Sequence, residues 1–106
     1  MHIDLLITRL KAALPSITNE AMAQEFLNSL SEFDQLAIFS AYKIGNAHIS
    51  YHRLMPEYEN VTRSLEGYIP VANFAKMLYE KRLVMKNSME TFIRCTDGSG
   101  FNRDNF

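Results

Sequence analysis

Ser31-Glu32-Phe33-Asp34-Gln35-Leu36-Ala37-Ile38-Phe39-Ser40-Ala41-Tyr42-Lys43-Ile44-Gly45-Asn46 is the stretch on which the fold turns. Ser31 and Asp34 form an S-x-x-D start signal: the hydroxyl can accept from a free N–H of the first turn, and the acid suits the positive end of the helix dipole. Phe33, Leu36, Ala37, Ser40, Ala41 and Ile44 follow on one helical stripe, while Ile38, Phe39 and Tyr42 fill the other side. A helix that is apolar nearly all round has to be covered from several directions. The segment is therefore expected at the centre of the domain, with Gly45-Asn46 as a left-handed exit.

The surrounding sequence supplies helices to cover it. On the N-terminal side, Ile3, Leu6, Ile7, Leu10 and Leu14 share a face until Pro15. Thr18 is then placed to cap a second helix with Glu20 in its first turn and Met22, Phe26, Leu27 and Leu30 inward. On the C-terminal side, residues 47–55 fit a helical period only loosely. Pro56 opens a short helix carrying Tyr58, Val61 and Leu65, which Gly67 closes. Pro70 opens another with Val71, Phe74, Ala75 and Leu78 inward. Glu80-Lys81-Arg82 interrupts that stripe, and Asn87 with Glu90 repeats a cap-and-acid signal before Met89, Phe92 and Ile93, so a break is expected between residues 81 and 87. The end, from Thr96, is rich in turn formers and reads as a flexible tail over 97–106 unless Phe101 and Phe106 find a pocket. The expected architecture is all-α: one domain over 1–96, a compact bundle of five or six short helices.

Bulk properties narrow the function classes. The 106 residues fit one domain, and 47% hydrophobic against 22% charged residues is a folding composition. Lys plus Arg is 11 and Asp plus Glu is 12, a net charge of -1 that gives no general attraction to nucleic acid or an anionic membrane. The charge is uneven. Through Ser40, Arg9 and Lys11 stand against Asp4, Glu20, Glu25, Glu32 and Asp34, giving -3, and the remainder gives +2. Cys95 is the only cysteine, which excludes an intrachain disulfide and suits a reducing compartment. The first residues lack a signal-peptide pattern, and no run approaches the roughly 20 apolar residues of a membrane span. The expected location is the cytoplasm.

His48 and His52, four apart, would present two imidazoles on one helix face to a divalent metal, with Glu57 or Glu59 as a third ligand. The segment reads His-Ile-Ser-Tyr-His, without the glutamate of H-E-x-x-H. Tyr42, Lys43, Tyr51, His52 and Arg53 form an aromatic and basic group able to stack on bases, and Lys76, Lys81, Arg82, Lys86 and Arg94 make the densest cationic region. Glu80 and Glu90 are interspersed there, as on a solvated helix face. No nucleophile elbow or phosphate loop is present, and Glu57 and Glu59, two apart on a helix, point away from each other. No enzymatic activity and no cofactor are expected.

Six Met, seven Phe and five Tyr are generous for this length, and adaptable Met-rich surfaces suit partners. The apolar excess on the central helix and around Leu83-Val84-Met85 points to a covered patch, most simply in a homodimer. Phe39, Tyr42, Met77, Leu83, Met85 and Met89 are the expected interface residues. The leading expectation is a self-associating protein-interaction module; the alternatives are a nucleic-acid-binding regulator using the basic C-terminal half, and a metal-binding protein through His48 and His52.

Residues 28–46, with Phe74-Ala75-Lys76-Met77-Leu78-Tyr79 and Met89-Glu90-Thr91-Phe92-Ile93, resemble a family of small uncharacterised bacterial all-helical domains of unknown function. Its members pair a Leu-Ser/Asn-x-x-x-Gln-x-x-Leu helix ending in a Gly-containing turn with a later Tyr-Leu segment and a final helix. The resemblance spans residues 26–95, with Asn46 where an Arg is usual. It implies a helical fold and a bacterial cytosol and assigns no site.

Overall fold

The structure, a computed structural model, describes residues 2–56 and 71–106. Within them the chain folds into four α-helices: α1 (His2–Ala13), α2 (Glu20–Asn28), α3 (Glu32–Ala47) and α4 (Phe74–Gly98). Short 3-10 turns lie at Leu14–Ser16, Val71–Asn73 and Arg103–Asn105, and the described residues contain no strand. The all-α class agrees with the sequence reading; the number of helices is smaller. The helix expected after Pro56, through Tyr58, Val61 and Leu65 to Gly67, lies outside the described residues.

Ser31 caps α3 as its spacing requires: its hydroxyl accepts from the backbone N–H of Asp34 at 3.1 Å. Gln35 reaches back to the Leu27 carbonyl at 2.9 Å and so ties the cap to the end of α2. At the start of α2 the cap is Asn19, not Thr18. The Asn19 side-chain oxygen accepts from Met22 N–H at 2.9 Å, and the Thr18 hydroxyl turns to the Met22 sulfur instead.

α1 buries Ile3, Leu6, Ile7 and Leu10, the stripe its spacing marks, and α2 buries Ala23 and Leu27. α3 is covered by α1 and α4, which is why Ala37 to Tyr42 are all buried in succession. Phe39 and Phe74, both fully buried, stack at 4.3 Å between ring centroids and fix the start of α4 against the middle of α3.

Gly45 departs from its expected role. The helix continues through it to Ala47, and no residue other than Gly100 has a positive φ among the described residues. A Cβ on Gly45 would stand 1.8 Å from the backbone oxygen of Ser88. Gly45 is thus the point at which α3 and α4 cross with backbones in contact, with Ala41 and Ala37 one and two turns before it. α3 ends instead at His48, whose buried ring bridges the chain: Nδ1–H donates to the Ile44 carbonyl at 2.6 Å, and Nε2 accepts from Met55 N–H at 3.0 Å.

The break expected between 81 and 87 is absent, and α4 is one helix of 25 residues. Its buried positions Leu78, Met85, Met89 and Phe92 hold one face across the polar run. Lys81 and Arg82 are good helix formers with no Gly or Pro beside them, and Arg82 lies along the helix, its guanidinium 4.2 Å from the centre of the Tyr79 ring. Asn87 does not cap; its carbonyl accepts from the Thr91 hydroxyl within the helix.

The last ten residues, expected as a tail, return to the bundle, because the aromatic rings do find a pocket. Phe106 is buried, 5.0 Å from the Phe92 ring, and Phe101 is half-buried beside it at 6.4 Å. Arg103 is buried and clasps both ends of the chain: it donates to both Asp4 oxygens, at 2.8 and 3.2 Å, to the Thr96 hydroxyl at 3.0 Å, and to Asp97. The hydrogen bond to Asp4 raises the Arg103 pKa further, burial opposing it and Asp97 assisting, so the clasp keeps its positive charge.

Candidate functional site

The two histidines do not share a helix face. His48 is fully buried with both ring nitrogens engaged, and His52 is exposed in a bend rather than one turn further along a helix. The physical reason is that α3 stops at His48, so the four-residue spacing no longer places two rings on one face. Among the described residues no three His, Cys, Asp or Glu side chains gather as a metal cluster; Glu57 and Glu59 lie outside them.

The aromatic and basic group is likewise divided. Tyr42 is buried and Lys43 half-buried on α3, while Tyr51, His52 and Arg53 are exposed beyond it. The 48–55 segment is held against α4: Arg94 donates to the carbonyls of Ile49 at 3.0 Å and Tyr51 at 2.9 Å, and the Leu54 N–H donates to the Ser99 hydroxyl at 2.7 Å. Cys95 is buried against the same segment, its thiol 3.3 Å from the Tyr51 carbonyl. Burial pushes the Cys95 thiol up, with Arg94 partly opposing, which keeps it un-ionised and a poor nucleophile.

Of the six expected interface residues, Phe39, Tyr42, Met85 and Met89 are buried in the core of the chain itself. The apolar excess on α3 and along α4 is used internally, because α3 is covered from two sides and the α4 stripe continues unbroken. Met77 is half-buried against that core. Leu83 alone of the six stands in solvent, 85% exposed, with Val84 beside it at 47%.

Leu83 stands at the edge of a groove of about 410 Å³ between α4 and the end of α1. Its apolar wall is Leu14, Pro15, Ile17 and Leu83, and Lys11, Arg82 and Lys86 surround that wall with positive charge. Glu90 answers part of this charge, 3.3 Å from Lys11 and 3.9 Å from Lys86. On the other flank of the Leu14–Ser16 turn is a shallower hollow of about 280 Å³ lined by Ala13, Ser16, Ile17, Met22, Glu25 and Phe26. Leu5 and Phe33, which do not line either concavity, are also exposed, 64% and 71%.

Lys11, Leu14, Pro15 and Ile17 escaped sequence reading because the groove joins two segments some seventy residues apart. The available signal was Leu83 itself, apolar yet on the side of α4 opposite the buried stripe of Leu78, Met85 and Phe92.

No family model, no curated protein and no solved structure matches the chain. Among the described residues no helix is long and apolar enough to cross a membrane.

Proposed function

We propose that the protein is a self-associating interaction module whose contact surface is the α1–α4 edge around Leu83. The observation that carries this reading is the exposure of Leu83 at the mouth of an apolar-walled groove. Covering such a side chain gains about 1.5–3 kcal/mol, and Leu83 is continuous with the apolar wall of Leu14, Pro15 and Ile17, a contiguous exposed apolar surface of the kind that marks interaction sites. A nucleic-acid role has less support, since Lys76 pairs with Glu80 and Lys86 with Glu90 along the most cationic helix. Size-exclusion chromatography with light scattering, run over a hundredfold range of protein concentration, tests the reading. The mass should rise toward that of a dimer, and Leu83→Ser should return it to that of the monomer. A wild-type mass fixed at 12.2 kDa throughout would refute it.

A further inference from the structure

We infer that a second copy of this chain docks by laying its α4 antiparallel across the first, the two-fold axis passing beside Leu83. The inference rests on self-association through the Leu83 edge and specifies its geometry.

The order of charges along α4 carries it. Lys76 and Glu80 stand seven and three residues before Leu83, Lys86 and Glu90 three and seven residues after it, and all four are exposed. At about 3.6 residues per turn the five positions fall within about 120° of the helix surface, with Leu83 at the centre. This face is antisymmetric: reversing its direction about Leu83 puts a glutamate in the place of each lysine and a lysine in the place of each glutamate. When two such faces meet antiparallel, Lys76 of one copy comes opposite Glu90 of the other and Glu80 opposite Lys86, and both pairs form twice. A parallel pairing sets each charge opposite its own kind, which is repulsive at close range. The face is therefore complementary to itself in one direction only.

The ion pairs within one chain do not exhaust these groups. Lys76 with Glu80, and Lys86 with Glu90, are loose contacts of 3.9 Å between exposed ions, and Lys11 and Lys86 both approach the same Glu90 oxygen, Oε1. A carboxylate has about four acceptor positions and an ammonium about three donors, so the partner's ions extend the existing pairs into a group of two lysines and two glutamates at each end of the contact. Shape agrees with charge. Leu83, 85% exposed, projects from the middle of the face and meets its own copy across the axis. Arg82, Leu83 and Lys86 also form one side of the groove, so a helix laid over Leu83 is a convex ridge that roofs the wall of Leu14, Pro15 and Ile17. Such a contact closes at two copies.

Complementary single variants of the full chain decide the matter, in sedimentation velocity at about 50 mM salt, where exposed charges are weakly screened. In pure Lys76→Glu, glutamates come opposite glutamates, and in pure Glu90→Lys, lysines come opposite lysines, so each should associate about tenfold more weakly than the wild type. An equimolar mixture of the two restores opposite charges at both contacts and should recover to within about threefold of the wild type. Changes inside each chain are the same in the mixture as in the separate samples, so recovery reports contact between copies alone. Far-ultraviolet circular dichroism checks folding, and if either variant fails to fold, Glu80→Lys mixed with Lys86→Glu makes the same comparison. Single variants that associate as the wild type does, or a mixture no tighter than its components, beside a wild type that Leu83→Ser disperses, overturn the antiparallel pairing and leave the Leu83 contact standing. A wild type that is monomeric at every concentration overturns both.

Discussion

One methyl group at Gly45 separates two physical effects of opposite sign. In a helix interior, Gly→Ala ordinarily gains about 1 kcal/mol from propensity. Here the new Cβ would meet the Ser88 backbone oxygen at 1.8 Å, and backbone of a packed helix cannot move aside without opening the α3–α4 crossing. The expected result for Gly45→Ala is a net loss of about 1–3 kcal/mol, read as a lower midpoint in urea denaturation; a raised midpoint would place the crossing elsewhere. The sequence held a signal for this in Ala37 and Ala41, spaced four residues apart and four before Gly45. A glycine near the end of an apolar stripe is equally the mark of a helix exit, and local pattern could not separate the two. Cys95 gives a second test at this scale. Its folded pKa is raised, so the buried thiol stays protonated where the unfolded chain would ionise. Its contribution is full below the unfolded thiol value, about 8.5, and is lost as pH climbs from there toward the folded value. The stability of the wild type relative to Cys95→Ala should therefore fall with pH above about 8.5, seen in paired urea titrations at pH 7 and 9.5. A constant difference would contradict the assigned burial.

Among the elements, α1 and α3 were legible because their apolar spacing and the Ser31 cap agree with one another, and each covers a face the other exposes. α4 was misread as two pieces because a run of three charged residues resembles a terminus when seen alone. In three dimensions that run occupies the outer side of a continuous helix, with Arg82 laid along Tyr79. The C-terminal ten residues were misread for the complementary reason: their composition is that of a loop, but Arg103 and Phe106 bind partners ninety-nine and fourteen residues away, Asp4 and Phe92. Their docking should show in stability. Phe106→Ala should cost about 3 kcal/mol and should speed amide exchange at the neighbouring turns of α4. An unchanged thermal midpoint together with unchanged exchange would show that the terminus contributes nothing.

For the molecule as a whole, the fold accounts for most of the apolar excess that first suggested a partner. Phe39, Tyr42, Met85 and Met89 are interior, and with them the larger part of the expected surface disappears. What remains is smaller and better located: Leu83, and a groove with an apolar wall and basic surroundings. Class of fold could be read from periodicity, since each helix is a local pattern. The surface could not, because residues 11–18 and 82–86 come together only after α1 and α4 have packed. The most direct test of self-association at this edge is a dilution series of methyl NMR spectra on the wild-type chain. The Leu83 and Leu14 methyl resonances should move with protein concentration, while those of the buried Leu78 and of the exposed Leu5, which does not line the groove, should not. Resonances that stay fixed from micromolar to millimolar protein, or movement confined to Leu5, would contradict it.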